Sequence, residues 1–292
     1  MPVSEARIDQ AAGLRRLGQL GPARVITITS GKGGVGKTSI TVNLAVAMAN
    51  NHKQVMLLDA DLGLANVDVL LGLHSIYNLS HVLSGERSLE EIIVQGPSGI
   101  RVVPAASGIK RMVQLSVEEH ARLIRAFGEL SFALDVLLID TAAGISESVM
   151  TFNRAAQEVV VVVCDEPTSI TDAYALIKVL SRDYGVDRFH ILANMVSSTT
   201  AGQELYNRFS RVTNRFLDVT LDFLGTVPYD EYLPRAVQEQ RTLMEISPNG
   251  KGALAFRRLA AKMEAWPPPT HASGHLGFFI ERLIQSGSGR PQ

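Results

Sequence analysis

Residues 31 to 38 read Gly31-Lys32-Gly33-Gly34-Val35-Gly36-Lys37-Thr38, followed by Ser39. The spacing is G-x-x-x-x-G-K-[ST], in which glycines let backbone N–H groups close around phosphate oxygens. An apolar run precedes the loop and a helix-like stretch, Ile40 to Ala49, follows it. The loop therefore opens a helix, whose N-terminus favours an anion. In that setting Lys37 reaches the outer phosphates and the Thr38 hydroxyl ligates Mg2+. The chemistry implied is binding and hydrolysis of ATP with Mg2+, against the blander alternative of a glycine-rich turn. Lys32 is extra, because Lys37 already occupies the helix end. Taken alone, it is equally an ordinary solvated lysine.

Three carboxylates complete the constellation. Asp59-Ala60-Asp61 ends a second apolar run, and two carboxylates at that spacing could serve Mg2+ and an attacking water. An Asp after a strand is just as often the N-cap of the next helix. Asp140 closes Val136 to Ile139 and has the position of a carboxylate that holds the metal through its shell.

The elements that must position these groups are legible as apolar, β-branched runs at 25–29, 55–58, 100–103, 136–139, 159–163, 189–192 and 223–227. Most lack polar alternation, so they are expected to be covered on both faces, with helical stretches between them. One such stretch is 116–130, with Ser116 as N-cap and Glu119 as its capping-box partner. The expected fold is α/β: a doubly wound, mostly parallel sheet of seven to eight strands flanked by helices. Ligands of such sheets sit at the carboxyl ends of the strands, where the loop and the acidic residues lie.

The 292 residues are 46% apolar, enough for one large domain, and 28 basic against 29 acidic side chains exert no overall pull toward nucleic acid or membrane. Cys164 is the single cysteine, no apolar run reaches membrane-spanning length and no start resembles a signal peptide, so a cytoplasmic protein is expected. The expected organisation is a helix within 1–22, an ATPase domain over 23–266, a proline-rich linker over 267–274, an amphipathic helix over 275–285 and a frayed tail over 286–292.

The chain resembles the MinD/ParA-like ATPases with a deviant Walker A loop, and among them the flagellar-number regulators of the FlhG/FleN (YlxH) type. The marks are Lys32 and Lys37, Asp59 to Asn66, Asp140 to Gly144, Asp165-Glu166-Pro167-Thr168 and Ala193-Asn194-Met195. The resemblance implies that Lys32 crosses a homodimer interface to the partner's ATP. It implies that Asp61 orients the attacking water, that Asp59 supports the metal and the first switch, and that Asn194 with Pro228 and Asp230 contacts adenine. Ala142 stands where many MinD-like proteins have proline, so the second switch is expected to be less rigid.

The stretch Asp9, Gln10, Ala11, Leu14 and Arg15 is similar to a family element that engages an FlhF-type GTPase and stimulates it; a heptapeptide of this kind by itself is more often simply an exposed helix. Leu276, Phe279, Ile280, Leu283 and Ile284 follow a helical repeat that Phe278 widens. The resemblance implies a membrane-targeting helix on bilayer lipid, anionic or not; the alternative is a helix docked on the protein's own core. Further implied partners are a flagellar enhancer-binding activator (FleQ/FlrA-like) and flagellar C-ring components. The ATP dimer is expected on the inner membrane face and possible polar placement follows from the same resemblance.

Other outputs are weighed on residues. Iron–sulfur carriers of this superfamily need clustered cysteines, which the lone Cys164 does not supply. A division-site regulator like MinD stays open. A DNA-associated partition ATPase also does, because Arg208, Arg211 and Arg215 share a helical face, although no direct DNA binding is expected.

Overall fold

Aliphatic strands without polar alternation need cover on both sides, and the order of elements provides it. The computed structural model describes residues 23–61, 66–104, 117–267 and, near the end of the chain, Ile280, Arg282 and Leu283. In chain order the elements are β1 (Arg24–Ser30), α1 (Lys37–Asn50), β2 (Val55–Ala60), α2 (Val67–Leu71), α3 (Leu79–Ser84), α4 (Leu89–Ile92), β3 (Val94–Gln95), β4 (Arg101–Val103) and α5 (Val117–Gly128). They continue with β5 (Val136–Ala143), α6 (Glu147–Ala155), β6 (Glu158–Cys164), α7 (Pro167–Tyr184), β7 (Arg188–Val196), α8 (Thr199–Phe216), β8 (Thr220–Pro228), α9 (Tyr232–Gln238), α10 (Leu243–Ile246) and α11 (Lys251–Glu264).

The strands form one eight-stranded sheet in the order β3-β4-β2-β5-β1-β6-β7-β8, parallel except for β3 against β4. All the apolar runs anticipated from the sequence are strands, and the doubly wound sheet is as expected. The additional strand, β3, has two residues and too little sequence to leave a signal. Strand β5 runs past Ile139 to Ala143 because β1 and β2 keep pairing with it, through Ser30↔Ala143 and Ala60↔Thr141. Residue 142 thus lies within the strand.

Alternation along the strands splits the core. On β1, Ile26 and Ile28 face α1 and α11, while Val25 joins α3, α5 and α6 on the opposite side. Thr27 and Thr29 also lie inside, where burial of hydroxyls demands partners. Asn153 of α6 supplies them, accepting from Thr27 Oγ1 at 2.8 Å and donating to Thr29 Oγ1 at 3.2 Å. At the opposite end of β1 from the glycine loop, Arg24 donates to the carbonyls of Met263, Trp266 and Pro267, and Trp266 stacks on His190 at 4.2 Å. Trp266 and Pro267 are therefore held at the sheet end remote from the loop.

Ile280 and Leu283 are buried in the cluster that contains Leu83, Phe127 and Phe152. For these two residues the structure adopts the docked alternative rather than exposure for membrane insertion, since burying them against an apolar groove removes their surface from water. The expected helices at 4–19 (with Asp9, Gln10, Ala11, Leu14 and Arg15), the Ser116 cap, Leu276, Phe278, Phe279, Ile284, residues 62–65 and the tail lie outside the described residues. No helix among those described is long and apolar enough to cross a membrane.

Helix α8 lies so close to β8 that a Cβ on Gly202 would stand 1.9 Å from Thr226 Cγ2. Overpacking of that kind costs about 1–3 kcal/mol. Gly202→Ala is expected to lower the melting temperature by roughly 2–10 °C, and adding Thr226→Ser, which deletes that methyl, should restore much of it; differential scanning fluorimetry checks both.

Candidate nucleotide-binding site

The loop between β1 and α1 is held from three sides. Gly31 touches the backbone of α7: a Cβ there would stand 2.1 Å from the Asp172 carbonyl group, so no side chain fits. Gly34 and Gly36 take φ of 78° and 85°, the left-handed region that glycine enters without strain. Asn194, buried at the end of β7, donates its Nδ2 to Val35 O at 2.7 Å. Ser30 Oγ donates to Lys32 O at 2.7 Å. Gly33 and Gly34 remain exposed on the open side, while Val35 and Lys37 are buried beneath it.

Below the loop sit the charges. Asp59 and Asp140 are 2% and 1% exposed and lie opposite each other in the β2–β5 register. Thr38 Oγ1 donates to Asp140 Oδ2 at 2.7 Å, and Thr41 Oγ1, one turn on, donates to Oδ1 at 3.1 Å. Burial raises Asp140 to about 7, opposed by the Thr38 hydrogen bond. Burial likewise raises Asp59 to about 6, opposed by the N–H groups of Val67, Asp61 and Asn66. Those groups donate at 3.1, 3.0 and 3.0 Å, so Asp59 gathers the backbone of Asp61, Asn66 and Val67 and caps α2. Burial holds Lys37 below the ordinary lysine range, with Asp140 and then Asp61 pulling it back.

Two nearly dry carboxylates beside a hydroxyl already aimed at one of them form an oxygen-donor set suited to a hard cation such as Mg2+. Thr38 and Asp140 would hold it, with Asp59 one strand over. Asp61 is half-buried above this layer, and Asn66 Nδ2 approaches its Oδ2 at 3.4 Å. Ser39 is half-buried in the first turn of α1.

Lys32 points the other way. Its Nζ pairs with Glu166 Oε2 at 2.5 Å and contacts Thr168 Oγ1 at 3.0 Å, and the Glu166 hydrogen bond raises its pKa. It is partnered within its own chain, on the rim of the site rather than among its own phosphate-facing groups. Glu166 and Thr168 lie in a segment that bears the family resemblance, yet nothing in their types announced this role. Thr41 was findable, being three residues from Thr38 on one helical face.

At the presumed adenine end the placement is mixed. Pro228 closes β8 half-buried. Asp230 is turned inward instead, its carboxylate accepting from Tyr232 N at 3.0 Å and Gly252 N at 2.9 Å, so it fixes the starts of α9 and α11. Asn194 spends its amide N–H on the loop. On α8, Arg208 pairs with Asp165 at 2.5 Å and Arg215 lies over Phe216, which removes one of three charges from the row that favoured DNA. Burial pushes the Cys164 thiol up to about 11, so it stays an unreactive core group.

With this geometry in place, comparison with known proteins is specific. The model of the ParA family, described as NUBPL iron-transfer P-loop NTPase, matches residues 22–264. Antiactivator FleN of Pseudomonas aeruginosa is 55% identical over 93% of this chain and 97% of its own length. Flagellum site-determining protein YlxH of Helicobacter pylori is 38% identical over 91% of each. Among solved structures, the septum site-determining protein MinD of Pyrococcus horikoshii complexed with Mg-ADP aligns at a TM-score of 0.66 and 25% identity, covering 83% of this chain and 96% of that one.

A carboxylate raised in the fold binds its proton more tightly there than in the unfolded chain. Its contribution to stability is fully present below the ordinary value of 3.8 and is lost progressively as pH rises from there through the folded values of about 6 for Asp59 and about 7 for Asp140 in the metal-free protein. Asp140→Asn, which keeps an oxygen for Thr38, is therefore expected to raise the melting temperature of nucleotide-free protein at pH 8 and to change it far less at pH 4. The same variant should lose most of the extra stabilisation that Mg2+ adds to nucleotide; thermal melts at both pH values check this.

Proposed function

Because the chain belongs to the ParA family of P-loop ATPases, we propose that it is an ATP-driven dimerising switch that restrains flagellar number by antagonising a transcription activator. The observation that carries the switch is Lys32, paired to Glu166 on the rim of its own site. An exposed pair of this kind is held weakly, because water and salt screen it. Its release is cheap compared with a charge-assisted bond to a partner's phosphate, so ATP in a face-to-face homodimer would draw Lys32 across.

Within each site, Lys37 stabilises charge on the outer phosphoryl oxygens and the loop N–H groups hold the nucleotide in line. Asp61, half-buried beside Asn66, orients the attacking water. Mg2+, held by Thr38 and Asp140, supplies neutralisation of phosphate charge when bound. Asp59 ties Asp61, Asn66 and Val67 to that centre, so loss of the outer phosphate has a route to the first switch. Catalysis rests on positioning, which fits a slow, regulatory ATPase.

The output reading rests on the relatives: one is called an antiactivator and another a flagellum site-determining protein. Regulation of an enhancer-binding activator of the FleQ/FlrA kind follows from the first, and stimulation of an FlhF-type GTPase through Asp9 to Arg15 from the sequence resemblance. The last helix is the second switched element. Ile280 and Leu283 gain about 1.5–3 kcal/mol each from burial, and insertion into a bilayer would offset that loss on release. One helix then binds membrane marginally, and two in a dimer bind by avidity.

Liposome co-sedimentation of Asp61→Ala with Mg-ATP and Mg-ADP, beside a chain ending at Pro269, tests the cycle. Pelleting with ATP only, abolished by the truncation, is the expected result; no pelleting in either nucleotide would leave a soluble regulator. In light scattering with Mg-ATP, Lys32→Ala is expected to stay monomeric while still binding nucleotide. Dimerisation as in the wild type would remove the cross-site role.

A further inference from the structure

Beyond Pro228, which marks the expected adenine end of the nucleotide site and lines the near end of the cavity, the edge of the sheet carries a second recess. Strand β8 is the last in the sheet, separated from β1 and its loop by β6 and β7. A cavity of about 460 Å³ runs along it, between the start of α8 and one face of α11. Its floor is apolar, formed by Leu224, Ala255 and Leu259, and its wall on α11 carries Lys251, Arg258 and Lys262. No carboxylate lines it. The charged groups meet only neutral partners: Lys262 Nζ donates to Phe223 O at 2.6 Å and Arg258 Nε to Leu254 O at 3.3 Å. Glu264, the acidic residue of α11, is engaged by Asn51 Nδ2.

The walls are fixed in advance. A Cβ on Gly225 would lie 2.8 Å from Leu259 Cδ2, and one on Gly202 would meet Thr226, so α11 and α8 both sit hard against β8. The strand edge itself is partly closed, because Leu221 O accepts from Tyr206 Oη at 2.6 Å and Phe223 O from Lys262. A ligand here therefore lies along α11 rather than adding a strand.

Charge spacing decides what kind of ligand that is. At a rise of 1.5 Å per residue, Lys262 and Arg258 are about 6 Å apart along the axis, and Arg258 and Lys251 about 10 Å. One small anion cannot reach all three. An extended peptide, rising about 3.3 Å per residue, presents carboxylates on one face at even spacings, about 7 Å apart at i and i+2 and about 13 Å apart at i+2 and i+6, and the long Lys251 side chain takes up the difference from about 10 Å. Single-stranded nucleic acid has comparable charge spacing but binds by stacking on aromatic faces, and the lining contains no aromatic side chain.

We propose that this groove docks an extended acidic segment of a partner protein, with its carboxylates on Lys251, Arg258 and Lys262 and an apolar side chain on Leu224 and Leu259. The site does not depend on nucleotide hydrolysis. It gives the protein a contact surface on the sheet edge, away from the face where Lys32 meets a second copy.

The probe is a fluorescein-labelled peptide, Gly-Ser-Glu-Leu-Glu-Ala-Leu-Ala-Glu-Gly-Ser, titrated with the full chain at low salt and followed by anisotropy. Arg258→Glu and Lys251→Glu are each expected to weaken binding at least 5-fold. Arg257→Glu, exposed on the same helix but outside the cavity lining, should change it less than 2-fold. Unaltered melting temperature and ATP binding in all three variants show that the fold and nucleotide site persist. Equal binding of the Lys-for-Glu peptide, no effect of Arg258→Glu, no peptide binding, full displacement by equimolar pyrophosphate, or tighter binding of an oligothymidylate would each overturn the proposal.

Discussion

The β2–β5–β1 register is the constraint on which the remaining site depends. Pairing of Asp59 with Asp140 across β2 and β5, and of Ile28 with Asp140 across β5 and β1, places two carboxylates side by side directly beneath the loop. A slip of one residue would turn each side chain to the other face of the sheet. Aliphatic cover on both sides prevents the slip and also keeps water from the carboxylates, which is why both are raised toward neutrality. The same burial that makes the metal-free site costly makes a cation welcome there.

Around that fixed centre, the groups with switching potential are held weakly. Lys32 rests in an exposed ion pair with Glu166, a bond that competing charge readily replaces. Asp59, by contrast, is held by three backbone N–H groups, those of Asp61, Asn66 and Val67. The site thus joins a rigid floor to a rim whose contacts exchange at small cost. Ile280 and Leu283 lie on the other side of the sheet, where their burial is worth a few kcal/mol, on the order of 1.5–3 each.

The two ends of the sheet serve different purposes. Strand carboxyl ends carry the loop, the carboxylates and Lys32, while the opposite end carries Arg24, His190 and Trp266, which hold the chain as far as Pro267. The β8 edge is a third region, cationic and rigid, with no part in phosphate chemistry. Separation of nucleotide chemistry, tail attachment and edge surface allows several contacts to be read from one fold.

The sequence by itself determined the phosphate loop, the acidic strand ends and the parallel sheet, because each has a local signature: glycines at fixed spacing, a carboxylate closing an aliphatic run, runs without alternation. It also supplied Lys32, though not the fact that Glu166 and Thr168 hold it. Tertiary structure alone decided that Asn194 fastens Val35, that Asp230 braces the starts of α9 and α11 with both oxygens, and that Ile280 and Leu283 lie in the core. A polar side chain at a strand end or an apolar face on a short helix has the same sequence whether it meets a ligand, a membrane or its own fold. The choice depends on which groups from distant segments arrive beside it, and that information is in the packing of the sheet rather than in any local run of residues.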